Sequence, residues 1–190
     1  MFSDAGMTTS IYATFVEGAT VDELLQANAV LPSLMEYVDG TLVEKTGGTL
    51  YHGLVQGNLS SEWLNFIKAN QQKGKVLISP PCTTGKQICR PNVAYMTVEL
   101  LEHYGMPAIL PQSFPLIAEV ASPEDEAETL FSKAREYLRS GCQEVWLLFP
   151  ENAIVIIITA TTSLIFAETE TVSTQTILQG FSIPVAELFA

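Results

Sequence analysis

The segment Pro115-Leu116-Ile117-Ala118-Glu119-Val120-Ala121-Ser122-Pro123 leaves the chain few folds to choose from. An apolar run bounded by prolines reads as a buried strand, and one acid sits inside it. An ionised carboxylate is costly to desolvate unless a cation, a proton or a donor meets it. Some distant part of the chain must therefore be brought to Glu119. Ser122-Pro123-Glu124-Asp125 reads as a helix start, with a serine cap, proline at the first helical position and acids in the first turn. Glu119 thus falls near the end of a buried strand, just before a helix, where sheet enzymes often carry their chemistry. A structural ion pair with an Arg or Lys accounts for the same residue equally well.

At 190 residues the chain can build one domain with a substantial core. We expect residues 1–19 to be a loose lead-in and residues 20–190 to form a single domain. Mean hydropathy is +0.25, yet no apolar stretch reaches the roughly 18–20 residues that span a bilayer. The longest run, Ala153 to Ile158, is β-branched and of strand length. The N-terminus has no basic region followed by an apolar core, so a cytoplasmic protein without membrane association is expected. Cys82, Cys89 and Cys142 show no zinc or disulfide spacing and read as buried thiols. A net charge of -12 argues against a broad nucleic-acid surface. Lys68, Lys73, Lys75, Lys86 and Arg90 could form a local one, although scattered solubilising charge explains most of them.

Thr20-Val21-Asp22-Glu23 fits a capping box ahead of a short helix through Leu24, Leu25 and Ala27. Met35 to Glu44 reads as a hairpin turning on Asp39-Gly40. Gly47-Gly48 ends it, and a helix is predicted from Leu50 to Gln71 with His52, Val55, Leu59, Trp63, Phe66 and Ile67 on one side. His52 reads first as a core histidine. Strands follow at 75–80 and, weakly, 84–89, then one entered at Asn92, and a short helix at 98–104. After the Glu119 strand a helix is predicted over 124–140, closed by Gly141. Lys133 flanks its apolar stripe, where it can either lie in solvent or project its ammonium toward the sheet. Strands at 145–149, 153–159, 163–167 and 171–178 and a closing helix at 184–189 complete an α/β order with a mixed, largely antiparallel sheet.

These residues carry a family likeness. Tyr37-Val38-Asp39-Gly40-Thr41-Leu42-Val43-Glu44, His52, Arg90-Pro91-Asn92-Val93-Ala94, Glu119-Val120-Ala121-Ser122-Pro123, Lys133-Ala134-Arg135-Glu136-Tyr137, Gly141 with Glu144-Val145-Trp146, and Gly180-Phe181-Ser182-Ile183-Pro184-Val185 together resemble the Uma2 family. That family is abundant in cyanobacteria and was formerly a domain of unknown function. The likeness runs from about residue 20 to 189; no one motif decides it, but the ordered set is specific. It implies a restriction-endonuclease-like, PD-(D/E)XK core: a mixed central sheet flanked by helices, with additional antiparallel strands. It also implies a catalytic set of Glu119, Lys133, Asn92, Glu44 and His52, with Glu119, Asn92 and Glu44 at a Mg²⁺ or Mn²⁺ ion. Ala121 stands where the lysine of the E-x-K pattern would be, and Lys133 on the following helix matches the family's alternative.

The departure is Asn92, where the family usually carries Asp. Mg²⁺ prefers hard, charged oxygen ligands, and an amide removes one negative charge. Two functions therefore stay open. One is a Mg²⁺-dependent endonuclease hydrolysing DNA phosphodiesters, impaired at position 92, with the ion weakly bound or absent. The other is an inactive pseudo-nuclease that binds a protein partner or nucleic acid. The run at 154–158 needs cover on both faces, which a central strand or an interface strand in a homodimer would supply; the restriction-endonuclease-like resemblance, whose members are often dimers, implies the homodimer.

Overall fold

Alternation along the strand that carries Glu119 sends its carboxylate to one side of the sheet in the computed structural model, which describes residues 18–45 and 48–190. Most of the expected lead-in, residues 1–17, and Gly47 of the expected Gly-Gly break lie outside the described residues. In chain order the elements are α1 (Val21–Gln26), β1 (Met35–Val38), β2 (Thr41–Glu44), α2 (Leu50–Ala69), β3 (Lys75–Ile78), β4 (Cys82–Thr83), β5 (Ile88–Cys89), β6 (Val93–Met96) and α3 (Val98–Tyr104). Then follow β7 (Leu116–Val120), α4 (Ala127–Arg139), β8 (Glu144–Phe149), β9 (Ile154–Thr159), β10 (Ser163–Phe166), β11 (Thr171–Ser173), β12 (Ser182–Pro184) and α5 (Val185–Leu188). This is the expected α/β class with a mixed central sheet and further antiparallel strands.

The central sheet has six strands in the order β10-β9-β8-β7-β6-β3. Only β7 and β8 pair in parallel, joined by the crossover through α4. β7 is buried along its whole length. Leu116, Ala118 and Val120 face the core shared with α2, where Val55, Leu59, Trp63 and Ile67 are buried. Ile117 faces the other core, with Leu130, Ala134 and Tyr137 of α4. The two-residue period sends Glu119 to the α4 side with Ile117. The β-branched run forms β9, one strand in from the edge, and β10 lies outside it.

A second sheet, β2-β1-β5-β4, packs beside the first. Its β1–β2 hairpin turns at Asp39 and Gly40, both at positive φ, as the Asp-Gly signal requires. Arg90 ties this sheet to the central one. Its guanidinium donates to the carbonyls of Met35 at 3.1 Å, Ser79 at 2.9 Å and Leu31 at 2.9 Å. Arg90 is thereby removed both from the possible local basic patch and from the scattered solubilising charge expected from the sequence.

Other boundaries also shift for local reasons. The helix expected from 124 starts at Ala127, because Ser122 and Asp125 close a turn on themselves. Both the N–H and the hydroxyl of Ser122 donate to the Asp125 carboxylate, at 2.8 and 2.6 Å. α2 ends at Ala69, two residues short of the expected Gln71. Gln71 takes the left-handed conformation, and the Gln72 N–H closes onto the Ile67 carbonyl. The strand expected over 171–178 stops at Ser173, because fully buried Glu144 captures the N–H groups of Gln175 and Thr176 at 2.8 and 2.7 Å. The strand expected over 84–89 is the hairpin β4–β5.

Arg90→Met keeps the apolar stem and removes every donor, stranding the carbonyls of Leu31, Met35 and Ser79. Urea unfolding should show a loss of roughly 2–4 kcal/mol with unchanged secondary structure. A loss below about 1 kcal/mol would place the join between the sheets elsewhere.

Candidate functional site

Glu119 is 2% exposed, and both of its oxygens are engaged. Oε1 accepts from the Tyr137 hydroxyl at 2.8 Å and faces Lys133 Nζ at 3.2 Å. Oε2 accepts from the Asn92 N–H at 3.3 Å and faces Lys45 Nζ at 3.6 Å. Each contact follows from the fold. Tyr137 and Lys133 are four apart and so share a face of α4. Asn92 precedes β6, whose Val93 pairs with Ala118, and this sets residue 92 opposite residue 119. Lys45 follows β2 and also reaches the carbonyl of Arg90.

The ion pairs extend one shell outward. Lys133 Nζ donates to both Glu36 oxygens, at 2.7 and 3.0 Å, and Glu36 also accepts from the Arg90 N–H at 2.7 Å. Burial alone would push the Glu119 carboxyl up. Lys133, Lys45 and the Tyr137 hydroxyl outweigh it and hold the group below the ordinary carboxylate value. Burial alone would lower Lys133; Glu119 and Glu36 reverse this and hold it above the ordinary lysine value. Burial, with Glu119 beside it, pushes Tyr137 well up, so its phenol stays protonated and donates.

Asn92 is 3% exposed and both ends of its amide are used. Its Oδ1 accepts from the Val120 N–H at 2.9 Å, which fixes the flip of the amide and turns Nδ2 toward His52 Nε2 at 3.1 Å. Nδ2 can only donate, so the imidazole accepts and is neutral, with its proton on Nδ1. Burial and then Lys45 lower the pKa of His52, in agreement with this state. Gly48 lets the ring sit here, since a Cβ on it would fall 2.2 Å from the imidazole.

Glu119, Lys133, Lys45, Glu36, Asn92 and His52 line a pocket of about 330 Å³ between α4, the β1–β2 hairpin and the ends of β6 and β7, with Tyr137 behind Glu119. Of the residues named from the sequence, Glu119, Lys133, Asn92 and His52 are brought together here. Glu44 lies exposed at the rim. The register sets Glu36 opposite Val43 and Glu44 opposite Met35, so the two acids point to opposite faces of the hairpin. Glu36 takes the face turned to Lys133 and the pocket. Sequence reasoning missed Glu36, Lys45 and Tyr137 as site residues. Alternation against buried Tyr37 flags Glu36 as the acid on the other face, and Tyr137 was visible only as part of the α4 stripe. Lys45 carried no local signal.

The donors available to a divalent ion are Glu119, the second lone pair of Asn92 Oδ1, and Glu44 at the rim. Among the described residues no group of three or more His, Cys, Asp or Glu is placed to hold a metal. A magnesium ion needs only one or two carboxylates when waters and a substrate phosphate complete its shell. The donor set reaches that lower limit through Glu119, whose oxygens are already engaged by Lys133, Tyr137, Lys45 and the Asn92 N–H, so a cation would have to compete with them. A thiolate nucleophile is not available: burial pushes the Cys89 thiol, at the pocket wall, up to about 12.

The model of the Uma2 family, described as "Putative restriction endonuclease", matches residues 23–186. A solved structure with the same fold, described as a "putative nuclease belonging to DUF820" from Anabaena variabilis, superposes with a TM-score of 0.76 at 20% sequence identity. The match covers 90% of this chain and 97% of that one. No curated protein matches.

The geometry sets two expectations. Lys133→Met leaves Glu119 with one ammonium, which should cost about 3 kcal/mol near neutral pH. Glu119 is depressed and Lys133 raised. The pair's contribution therefore holds above the ordinary carboxylate range and is lost as pH falls through the folded value of Glu119. It likewise holds below the ordinary lysine range and is lost as pH rises through the folded value of Lys133. Urea titrations should show the wild-type advantage largest at neutral pH and shrinking in acid; an advantage that grows in acid contradicts the assignment. Separately, Asn92→Asp replaces a donor to His52 Nε2 with an acceptor. NMR titration should find the imidazole pKa below the ordinary value in the natural chain and raised in the variant. An unmoved titration means that residue 92 does not face His52.

Proposed function

The chain belongs to the Uma2 family, and on that premise we propose that its pocket hydrolyses DNA phosphodiesters with Mg²⁺ or Mn²⁺, at a rate limited by the amide at position 92. One observation carries the proposal: Glu119 pairs with Lys133 and accepts from the backbone N–H of residue 92, and all three line a single pocket.

Glu119 supplies the one buried anionic ligand, with Asn92 Oδ1 beside it and Glu44 farther out at the rim. When bound, the ion lowers the pKa of a water and stabilises charge on the phosphoryl group. The protein's own residues do the rest. Tyr137 holds Oε1 of Glu119 in place, and the Asn92 N–H holds Oε2. Lys133 keeps its proton across the working pH range, so its ammonium is suited to orient an attacking water and to steady charge developing on the phosphate oxygens. Glu36 anchors that ammonium from the other side. His52 is neutral and positions Asn92.

A second reading has its own support. Lys45 and Lys133 already supply the countercharge that Glu119 needs, and Asn92 Oδ1 is engaged with Val120. A site satisfied by its own cations has little pull on another, which favours a binding module without cleavage. Charge placement points the same way. Lys68, Lys73, Lys75, Arg135 and Arg139 are exposed, and they sit at the ends of α2 and α4 and the start of β3, the end of the sheet away from Glu119. The pocket instead gathers Glu36, Glu44, Glu119, Asp125 and Glu136 around its two lysines. A nucleic acid would reach it without steering from a basic face, or with a partner protein's help.

Restoring the charge separates the two readings. A unit charge a few ångströms from a divalent ion is worth several kcal/mol even at an effective dielectric constant of about 20. Asn92→Asp should therefore tighten Mg²⁺ or Mn²⁺ binding by at least about tenfold in calorimetry. Plasmid nicking should be weak in the natural chain, stronger in Asn92→Asp and absent in Glu119→Ala. Nicking by Asn92→Asp alone would identify the natural chain as a pseudo-nuclease. No gain in metal affinity would remove residue 92 from the ligand set.

A further inference from the structure

We propose that two copies of this chain associate through β10, pairing antiparallel across a two-fold axis to join their central sheets. β10 is an edge of the six-stranded sheet, and among the described residues no strand other than β9 pairs with it. The direction of its backbone groups follows from the turn before it. The Thr159 N–H donates to the Thr162 carbonyl at 2.9 Å, which makes this a hydrogen-bonded pair of the ladder. Alternation then binds Leu164 and Phe166 to β9 and points the N–H and C=O groups of Ser163 and Ile165 outward.

Exposed edges are ordinarily guarded by lysine, proline or a bulge. The opposite edge of this sheet is: β3 begins at Lys75, follows Lys73 and runs out into Pro80-Pro81. β10 has no such guard. From Asn152 to Ala167 there is neither a charged residue nor a proline. Leu164 is 37% and Ile165 66% exposed.

The occupant is a second copy because the edge complements itself. Centred on Leu164, an antiparallel pair sets Ser163 against the partner's Ile165, and the outward groups of each satisfy those of the other. Both faces of the joined sheet then continue apolar. Phe166 extends the α2-side core, and Ile165 with its neighbour Ile156 extends the α4 side. Charge narrows the choice of surface further. With a net charge of -12, two copies repel over most approaches, and this long uncharged stretch is where they can meet.

Sedimentation equilibrium on the full chain should give twice the 20.7 kDa chain mass. Ile165→Lys should halve that mass while leaving the circular dichroism spectrum unchanged. Hydrogen exchange on the natural chain supplies a check that needs no variant: the amides of Ser163 and Ile165 should be protected in the dimer and lose protection on dilution. A monomer at all concentrations overturns the proposal. So does a dimer that survives both Ile165→Lys and Leu164→Lys, or one whose Ser163 and Ile165 amides exchange freely.

Discussion

A carboxylate inside the sheet has to be met by positive charge, and the arrangement around Glu119 answers that demand. Two ammonium groups, a phenol and a backbone N–H reach it from α4, from the end of β2 and from the entry of β6. Removing charge from water is costly, and attraction repays the cost only where the remaining lone pairs are also filled. Here they are filled by groups from three separate elements. The ion pair is thus a tertiary device that fixes where α4 and the β1–β2 hairpin lie against β7.

The network continues past Glu119 because Lys133 needs more than one anion. Glu36 supplies the second, and it is itself held by the Arg90 N–H. The Arg90 side chain meanwhile gathers carbonyls from the segment between α1 and β1 and from the end of β3. The hairpin that carries Glu36 and Lys45 is in this way tied to the strand entry that carries Asn92. Stability and site geometry share the same bonds.

Asn92 sits where these demands compete. As an amide it bridges the Val120 N–H and neutral His52, with an acceptor facing one and a donor facing the other. A carboxylate there could not donate to His52 and would favour its protonated form. The amide therefore gives a quiet, internally satisfied pocket at the expense of one negative charge for a cation.

Much of the architecture was legible from local pattern. The strand around Glu119, the Asp-Gly hairpin, the long helix with His52 in its first turn and the place of Asn92 before β6 all follow from short-range rules of periodicity and turn chemistry. The family likeness then implied Glu119, Lys133, Asn92, Glu44 and His52 as one site, of which Glu44 lies at the rim. What local pattern could not supply was which side of a ribbon faces inward and which cations meet the buried acid. Glu36 and Glu44 look alike in sequence and are separated only by the hairpin register. Lys45 is ordinary until the hairpin docks against β6, and Arg90 changes from surface charge to internal clamp in the same step. Composition, turns and strand periods act within a few residues. The choice of partner for a buried charge is made between residues tens of positions apart, and only the packed sheets decide it.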